Sequence, residues 1–231
     1  MHIKTARNSI FLAMLLLCMS SVQAAVVQFQ GINDSDPLAG FYIDGSVVNG
    51  NILELDVFGS VGDGILPFSL QASSTSPVSS MFDTVSFNIV APVGYYISEI
   101  FYQESLKTII TPNSGSAWSI AQGSISVNGV ARTLGSAFFA SATDTTFGLD
   151  VSYDLSGQQV STAAVAITNS IFAAANGDGE AFIAKGYDSG GVSLPRLEVT
   201  LEAVPIPAAA WLFGSALIGF VVYGRGRRRG V

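Results

Sequence analysis

The chain has 231 residues, 49% of them apolar and only 12% charged, with one Cys and one His. That length is the scale of a single domain with a sizeable core of its own. Cys18 and His2 both precede residue 25, so a chain that loses this segment has no thiol and no imidazole, which excludes disulfides, Cys/His zinc sites, thiol nucleophiles and a Ser-His-Asp triad.

All 17 acids lie between Asp34 and Glu202, where the basic residues are only Lys107, Arg132, Lys185 and Arg196. So acidic a middle repels polyphosphate, and no nucleic acid is expected as a partner. The same surplus keeps an exported domain soluble.

In chain order, the first element expected is a secretory signal peptide over 1–24. Lys4 and Arg7 form its basic lead, Ile10 to Met19 its apolar stretch, and Val22-Gln23-Ala24 its small-residue exit, with cleavage between Ala24 and Ala25. The apolar stretch is shorter than the roughly 20 residues a bilayer needs, which argues against a retained membrane helix. Leu17 stands where a lipoprotein signal wants a small residue, so Cys18 is not expected to carry lipid.

Residues 25–203 form the expected ectodomain, and their apolar positions recur mostly at every second residue. Strands are expected at Val26 to Gln30, Phe41 to Val48 and Leu53 to Val57, the last alternating with Glu54 and Asp56. Further strands are expected at Val85 to Ile89, Tyr95 to Gln103, Phe147 to Leu155, Val160 to Ile167, Ala181 to Lys185 and Leu197 to Leu201. Asn128-Gly129 predicts a type I′ hairpin joining Ser124–Val127 to Val130–Leu134. The Ala-rich stretch from Ser161 to Ala175 admits a helix, but Thr162, Val165, Ile167, Thr168 and Ile171 favour strand. Turn signals at this spacing predict an antiparallel β-sandwich, jelly-roll-like, with no internal repeat.

Three ligand chemistries can be weighed on this domain. Asn33-Asp34-Ser35-Asp36 and Asn176-Gly177-Asp178-Gly179-Glu180 set oxygen ligands at alternate positions, making Asp34, Asp36, Asp178 and Glu180 candidates for calcium. Neither segment completes an EF-hand, and Asp, Asn and Gly are ordinary turn residues, so the turn reading is favoured and no cofactor is expected. Tyr95, Tyr96, Phe101, Tyr102 and Trp118 could stack on sugars, although most rings in such strands pack a core. Glu99 with Glu104, or Glu54 with Asp56, are the carboxylate pairs open to glycoside hydrolysis; charged strand exteriors explain them more simply, so no catalytic residue is expected.

The last segment, 204–231, opens on Val204-Pro205-Ile206-Pro207, whose prolines break the preceding strand and hold an extended spacer. From Ala208 to Tyr223 no charge occurs, which predicts a short transmembrane helix with Trp211 and Tyr223 near its two interfaces. Arg225, Arg227, Arg228 and Arg229 follow and should stay cytoplasmic, in agreement with a signal that has sent the domain across.

The string from Val204 through Trp211-Leu212-Phe213-Gly214-Ser215 to Gly219, with its arginine tail, resembles a PEP-CTERM sorting signal of the VPLPAAxWLFGS variant. Ile206 departs from the glutamate in that family's name. The resemblance covers only the C-terminal segment. It implies recognition by an exosortase, a membrane-embedded transpeptidase of Gram-negative bacteria. Cleavage near the prolines would turn a transient anchor into delivery to the cell surface or extracellular matrix. Family members accompany exopolysaccharide and biofilm gene sets, so the expected role is structural or adhesive, with the membrane, exosortase and exopolysaccharide as partners. The alternative is a secreted carbohydrate-active enzyme or carbohydrate-binding module of β-sandwich type.

Overall fold

Alternation of apolar and polar residues is what the chain converts into sheet, since successive strand side chains point to opposite faces. The computed structural model describes residues 25–35, 47–55, 69–188, 191–205 and 212–216. Strands are numbered in chain order. One sheet contains β1 (Gln28–Asp34), β5 (Val78–Val90), β10 (Thr162–Asn176), β7 (Ser116–Val127) and β8 (Val130–Phe139), in that spatial order. The second runs β2 (Val47–Asn49), β3 (Ile52–Glu54), β14 (Arg196–Ala203), β6 (Tyr95–Thr111), β11 (Glu180–Lys185) and β4 (Ser69–Ala72). β9 (Thr143–Asp154) lies along β6, and β12 (Tyr187–Asp188) pairs only with β13 (Gly191–Val192). All these pairings are antiparallel.

Both sheets contribute to one apolar core. Val85, Phe87 and Ile89 of β5, Val165, Ile167 and Ile171 of β10, and Ile125 of β7 meet Ile100 and Leu106 of β6, Ile183 of β11 and Leu197 of β14, all buried. Each such side chain contributes about 1.5–3 kcal/mol on leaving water.

The hairpin expected at Asn128-Gly129 is present. Asn128 has φ 51° and Gly129 φ 80°, the two left-handed residues of a type I′ turn, and Asn128 Oδ1 accepts from Ala164 N at 2.9 Å. Its arms extend well beyond the expected residues, because Ser119–Gly123 pairs on with Gly135–Phe139 after a bulge that turns Leu134 inward. The stretch from Ser161 to Ala175 is strand, not helix: β10 occupies the middle of its sheet, with β5 on one side and β7 on the other. Of the expected strand Phe41 to Val48, residues 41–46 lie outside the described residues, and β2 begins only at Val47.

Two turns carry the chain between layers and clasp one another. Residues 112–115 lead from β6 to β7, and 177–179 from β10 to β11. Asn113 Nδ2 donates to Asp178 O at 2.8 Å, and Ser114 Oγ donates to the Asp178 carboxylate at 2.6 Å. A Cβ on Gly115 would stand 1.8 Å from Asn176 O, so only glycine lets the turns approach this closely.

Residues 1–24, and with them the signal peptide as far as Ala24, lie outside the described residues; Ala25 is the first of them. At the other end, β14 runs to Ala203, and Val204 N donates to Gly94 O at 2.8 Å. Beyond Pro205, a short helix at 212–216 carries Leu212, Phe213, Gly214 and Ser215, all exposed. Among the described residues no helix is long and apolar enough to cross a membrane. Ile206, Pro207, Trp211 and the arginine tail Arg225, Arg227, Arg228 and Arg229 lie outside those residues.

Candidate functional site

The outer face of the β1-β5-β10-β7-β8 sheet departs from an ordinary solvated exterior. Strand register lays Phe82, Ser170, Gln122 and Ser136 in one row across four strands. Beside it, Thr84, Thr168, Ser124 and Thr133 form a second row. On the other flank lie Ser80, Phe172, Ile120 and Phe138. None of these positions is charged, in a domain whose acids greatly outnumber its bases.

Trp118, Phe172 and Phe138 form a connected patch, with Phe82 in the row beside it. Trp118 stacks on Phe172 with centroids 4.8 Å apart and planes 17° from parallel, and lies 5.8 Å from Phe138. Phe82 and Phe138 are 66% and 62% exposed, an unfavourable placement for large apolar side chains unless something covers them. A shallow hollow of about 410 Å³ opens between Phe82 and the hydroxyls of Ser124, Thr133, Ser136, Thr168 and Ser170. Flat rings that accept the C–H face of a pyranose, beside hydroxyl and amide groups that donate and accept, are the chemistry of neutral sugar recognition.

Sequence reasoning named one member of this patch, Trp118. The other rings it proposed lie elsewhere. Tyr102 is fully buried, its hydroxyl donating to Glu104 Oε2 at 2.7 Å, while Tyr95, Tyr96 and Phe101 are half-buried on β6, in the opposite sheet. Tyr96 donates to Glu202, a contact that lifts the Tyr96 phenol above its ordinary pKa. Phe82, Phe138 and Phe172 were missed because the period-two pattern counts an aromatic residue as core on whichever face it falls.

The proposed carboxylate pair is separated by the pleat. Glu99 and Glu104 differ in parity along β6, so Glu99 faces outward, accepting from Ser152 Oγ, whereas Glu104 faces the core. Glu54 stands opposite Arg196 on β14, and Asp56 lies outside the described residues. Of the oxygen-ligand candidates, Asp34 ends β1, Asp178 is engaged by Ser114, Glu180 opens β11, and Asp36 lies outside the described residues. Among the described residues no three His, Cys, Asp or Glu side chains gather as a metal site would require.

A second polar group sits inside the protein. Lys185 and Glu104 form an ion pair at 2.6 Å with neither side chain meaningfully exposed. Asp83 and Asn169, directly opposite each other on β5 and β10, are buried in the same core. Burial pushes the Lys185 ammonium pKa down, against the raising effect of Glu104 and Asp83. Nearby, Thr108 donates to Phe182 O at 2.9 Å and is joined to Ser119 at 2.7 Å across the two layers.

No protein-family model matches the chain, and no curated protein matches it. Among solved structures it is similar to TmCBM61 in complex with β-1,4-galactotriose, at 10% identity over 74% of this chain and 99% of that one, with a TM-score of 0.25. Xyl-CBM35 in complex with a glucuronic acid containing disaccharide is 17% identical over 80% of this chain and 96% of that one, TM-score 0.18. Empty particles of cowpea mosaic virus supply another, 11% identical over 60% and 87%, TM-score 0.23. Scores this low carry no argument about ancestry or activity.

Proposed function

We propose that the chain is an exported surface protein that adheres to polysaccharide through the outer face of the β1-β5-β10-β7-β8 sheet. The observation that carries this reading is the Trp118, Phe172 and Phe138 patch set beside two uncharged rows of hydroxyl and amide side chains. Within the reading, the two facing sheets are a jelly-roll-like β-sandwich, one face of which stays available to ligand.

Delivery rests on the sequence at the two ends: a signal peptide over 1–24, and the PEP-CTERM-like segment over 204–231 as substrate of an exosortase. The C-terminal helix would hold the chain in the inner membrane until cleavage sends the ectodomain to the surface or matrix. Separation of Glu99 from Glu104 by the pleat leaves the hydrolase alternative without that pair.

Affinity electrophoresis of the ectodomain in gels containing neutral or acidic polysaccharides tests adhesion; mobility that no polysaccharide alters sinks it. Fractionating cells that carry or lack the Arg225 to Arg229 tail tests sorting. The intact chain should lose mass and leave the inner membrane, and an unchanged mass and location would defeat that part of the reading.

A further inference from the structure

We propose that Lys185 and Asp83 become joined by an amide bond formed inside the core, with Glu104 carrying the protons. This inference is independent of the glycan reading, and its substrate is the protein itself.

The placement comes from topology. Along one edge of β6, β14 pairs as far as Gln103 and β11 takes over at Leu106. Glu104 lies in the gap between them and points inward. Lys185 is the last residue of β11, beside Leu106. Asn169 stands seven residues before the end of β10 at Asn176, and Lys185 five residues after the start of β11 at Glu180, on the two arms joined by the 177–179 turn. Asp83 is the register partner of Asn169 on the next strand. Gly123, the other register partner of Asn169, adds no bulk, and the Asn169 amide oxygen fills the space a side chain there would take. A lysine from one sheet and a carboxyl group from the other thus share the buried space between the layers, Asp83 and Lys185 both 0% exposed and near enough for the Asp83 charge to act on Lys185.

Each residue is in a state suited to the step. The Asp83 charge acts on Lys185, and burial favours the neutral amine, the nucleophilic form of lysine. Asp83 Oδ1 accepts from Ser35 Oγ at 2.7 Å and Thr84 N at 2.6 Å, which fixes the carboxyl and offers donors to an oxyanion. Glu104 Oε2 takes both Lys185 Nζ and the Tyr102 hydroxyl, while buried Oε1 has no hydrogen-bond partner among the described residues. An orphaned oxygen beside an ammonium group is a place for a travelling proton.

The step balances without any co-reactant. The Lys185 ammonium passes a proton to Glu104, the freed Nζ lone pair attacks Asp83 Cγ, and an N–C bond forms. The C–O bond then breaks, and that oxygen leaves as water with the two protons the nitrogen has shed, both relayed by Glu104, which ends as it began. Held reactants and a dry core favour condensation over hydrolysis. The product staples β5 to β11, and so sheet to sheet, in a chain whose single Cys permits no internal disulfide.

Denaturing the full chain, digesting it and sequencing the peptides by mass spectrometry tests the proposal. Expected is a branched peptide containing Lys185 and Asp83, lighter by one water than its two arms together. Recovery of both residues only in separate linear peptides overturns it. So does a branch from Lys185 to Glu104, or to Asn169 with loss of ammonia. Glu104→Gln keeps the shape and removes the proton carrier, so a folded Glu104→Gln chain should lack the branch. A branch as abundant as in the unaltered protein would remove Glu104 from the step, and if this variant does not fold, the peptide map of the unaltered chain still decides.

Discussion

Trp118 and Phe172 stack at 4.8 Å although they sit diagonally on neighbouring strands, Trp118 opposite Ala174 and Phe172 opposite Ile120. Both point away from the core, so the ring pair is built on the surface. Its burial contributes less to folding than the same pair would inside, and both rings, half-buried, keep part of their surface within reach of a ligand.

Phe82→Ala separates adhesion from stability. The side chain is 66% exposed, so its loss should leave the urea midpoint within about 0.5 kcal/mol of the original. Polysaccharide affinity should fall about tenfold, the size of effect expected from removing one stacking ring. Trp118→Ala should weaken binding at least as much, with a measurable cost in stability through the lost contacts to Phe172 and Phe138. Unchanged retardation by both variants would move the ligand site elsewhere.

Replacing Lys185 by Met leaves the Glu104 carboxylate buried without the cation that neutralises it before the amide forms, and removes that amide as well. Urea denaturation should report a loss of about 3–5 kcal/mol. The double variant Lys185→Met with Glu104→Gln should regain part of that, because a neutral amide is cheaper to keep out of water than a carboxylate. If the double variant is no more stable than the single one, the pairing of these two residues is not what the core depends on.

Tyr153 links the sheets at another point. Its hydroxyl lies 2.6 Å from Ile125 O and 3.0 Å from Val130 O, and Arg132 stacks over its ring at 4.4 Å. Burial lifts its phenol above the ordinary value of 10.0, while Arg132 opposes the shift. The folded protein therefore holds the neutral phenol longer than the unfolded chain does. The resulting stability is complete below pH 10.0 and is lost as pH rises through the raised folded value. Tyr153→Phe should cost about 0.5–1.5 kcal/mol at neutral pH. It should also flatten the alkaline decline seen when melting temperature is plotted against pH.

Gly115→Ala should be more damaging than most alanine substitutions. The new methyl would meet Asn176 O at 1.8 Å and Asp178 N at 3.0 Å, both backbone atoms that cannot swing aside. Forcing the clasped turns apart should cost about 3 kcal/mol or more, and a calorimetric melt within a degree or two of the original would contradict the close approach.

Much of the sheet was legible before the structure, and the reasons are local. Val85, Phe87 and Ile89, or Leu149, Val151 and Tyr153, alternate cleanly with polar neighbours and are strand, as the period requires. Asn128-Gly129 named its own turn. Ser69–Ala72 and Val78–Ser80 carry too few apolar residues in alternation to be found that way, and they are strand because β11 and β10 offer them partners. The site was legible only at Trp118. Register decides which aromatic residues share a face, and register is a property of strand pairs distant in sequence, such as Phe82 with Ser170. The burial of Lys185 was not legible for the same reason, since nothing near it in sequence announces Glu104.

The direct passage of β14 into Val204 bears on how the protein would carry load. β14 is held along its length, by β6 throughout and by β3 over its first residues, and Val204 N is still tied to Gly94 O where the strand leaves the sheet. Tension applied at that end along the strand axis would strain its rungs together, in shear, whereas a strand peeled sideways gives them up singly. A chain tethered there, even briefly, would meet drag on its body at a mechanically stiff point.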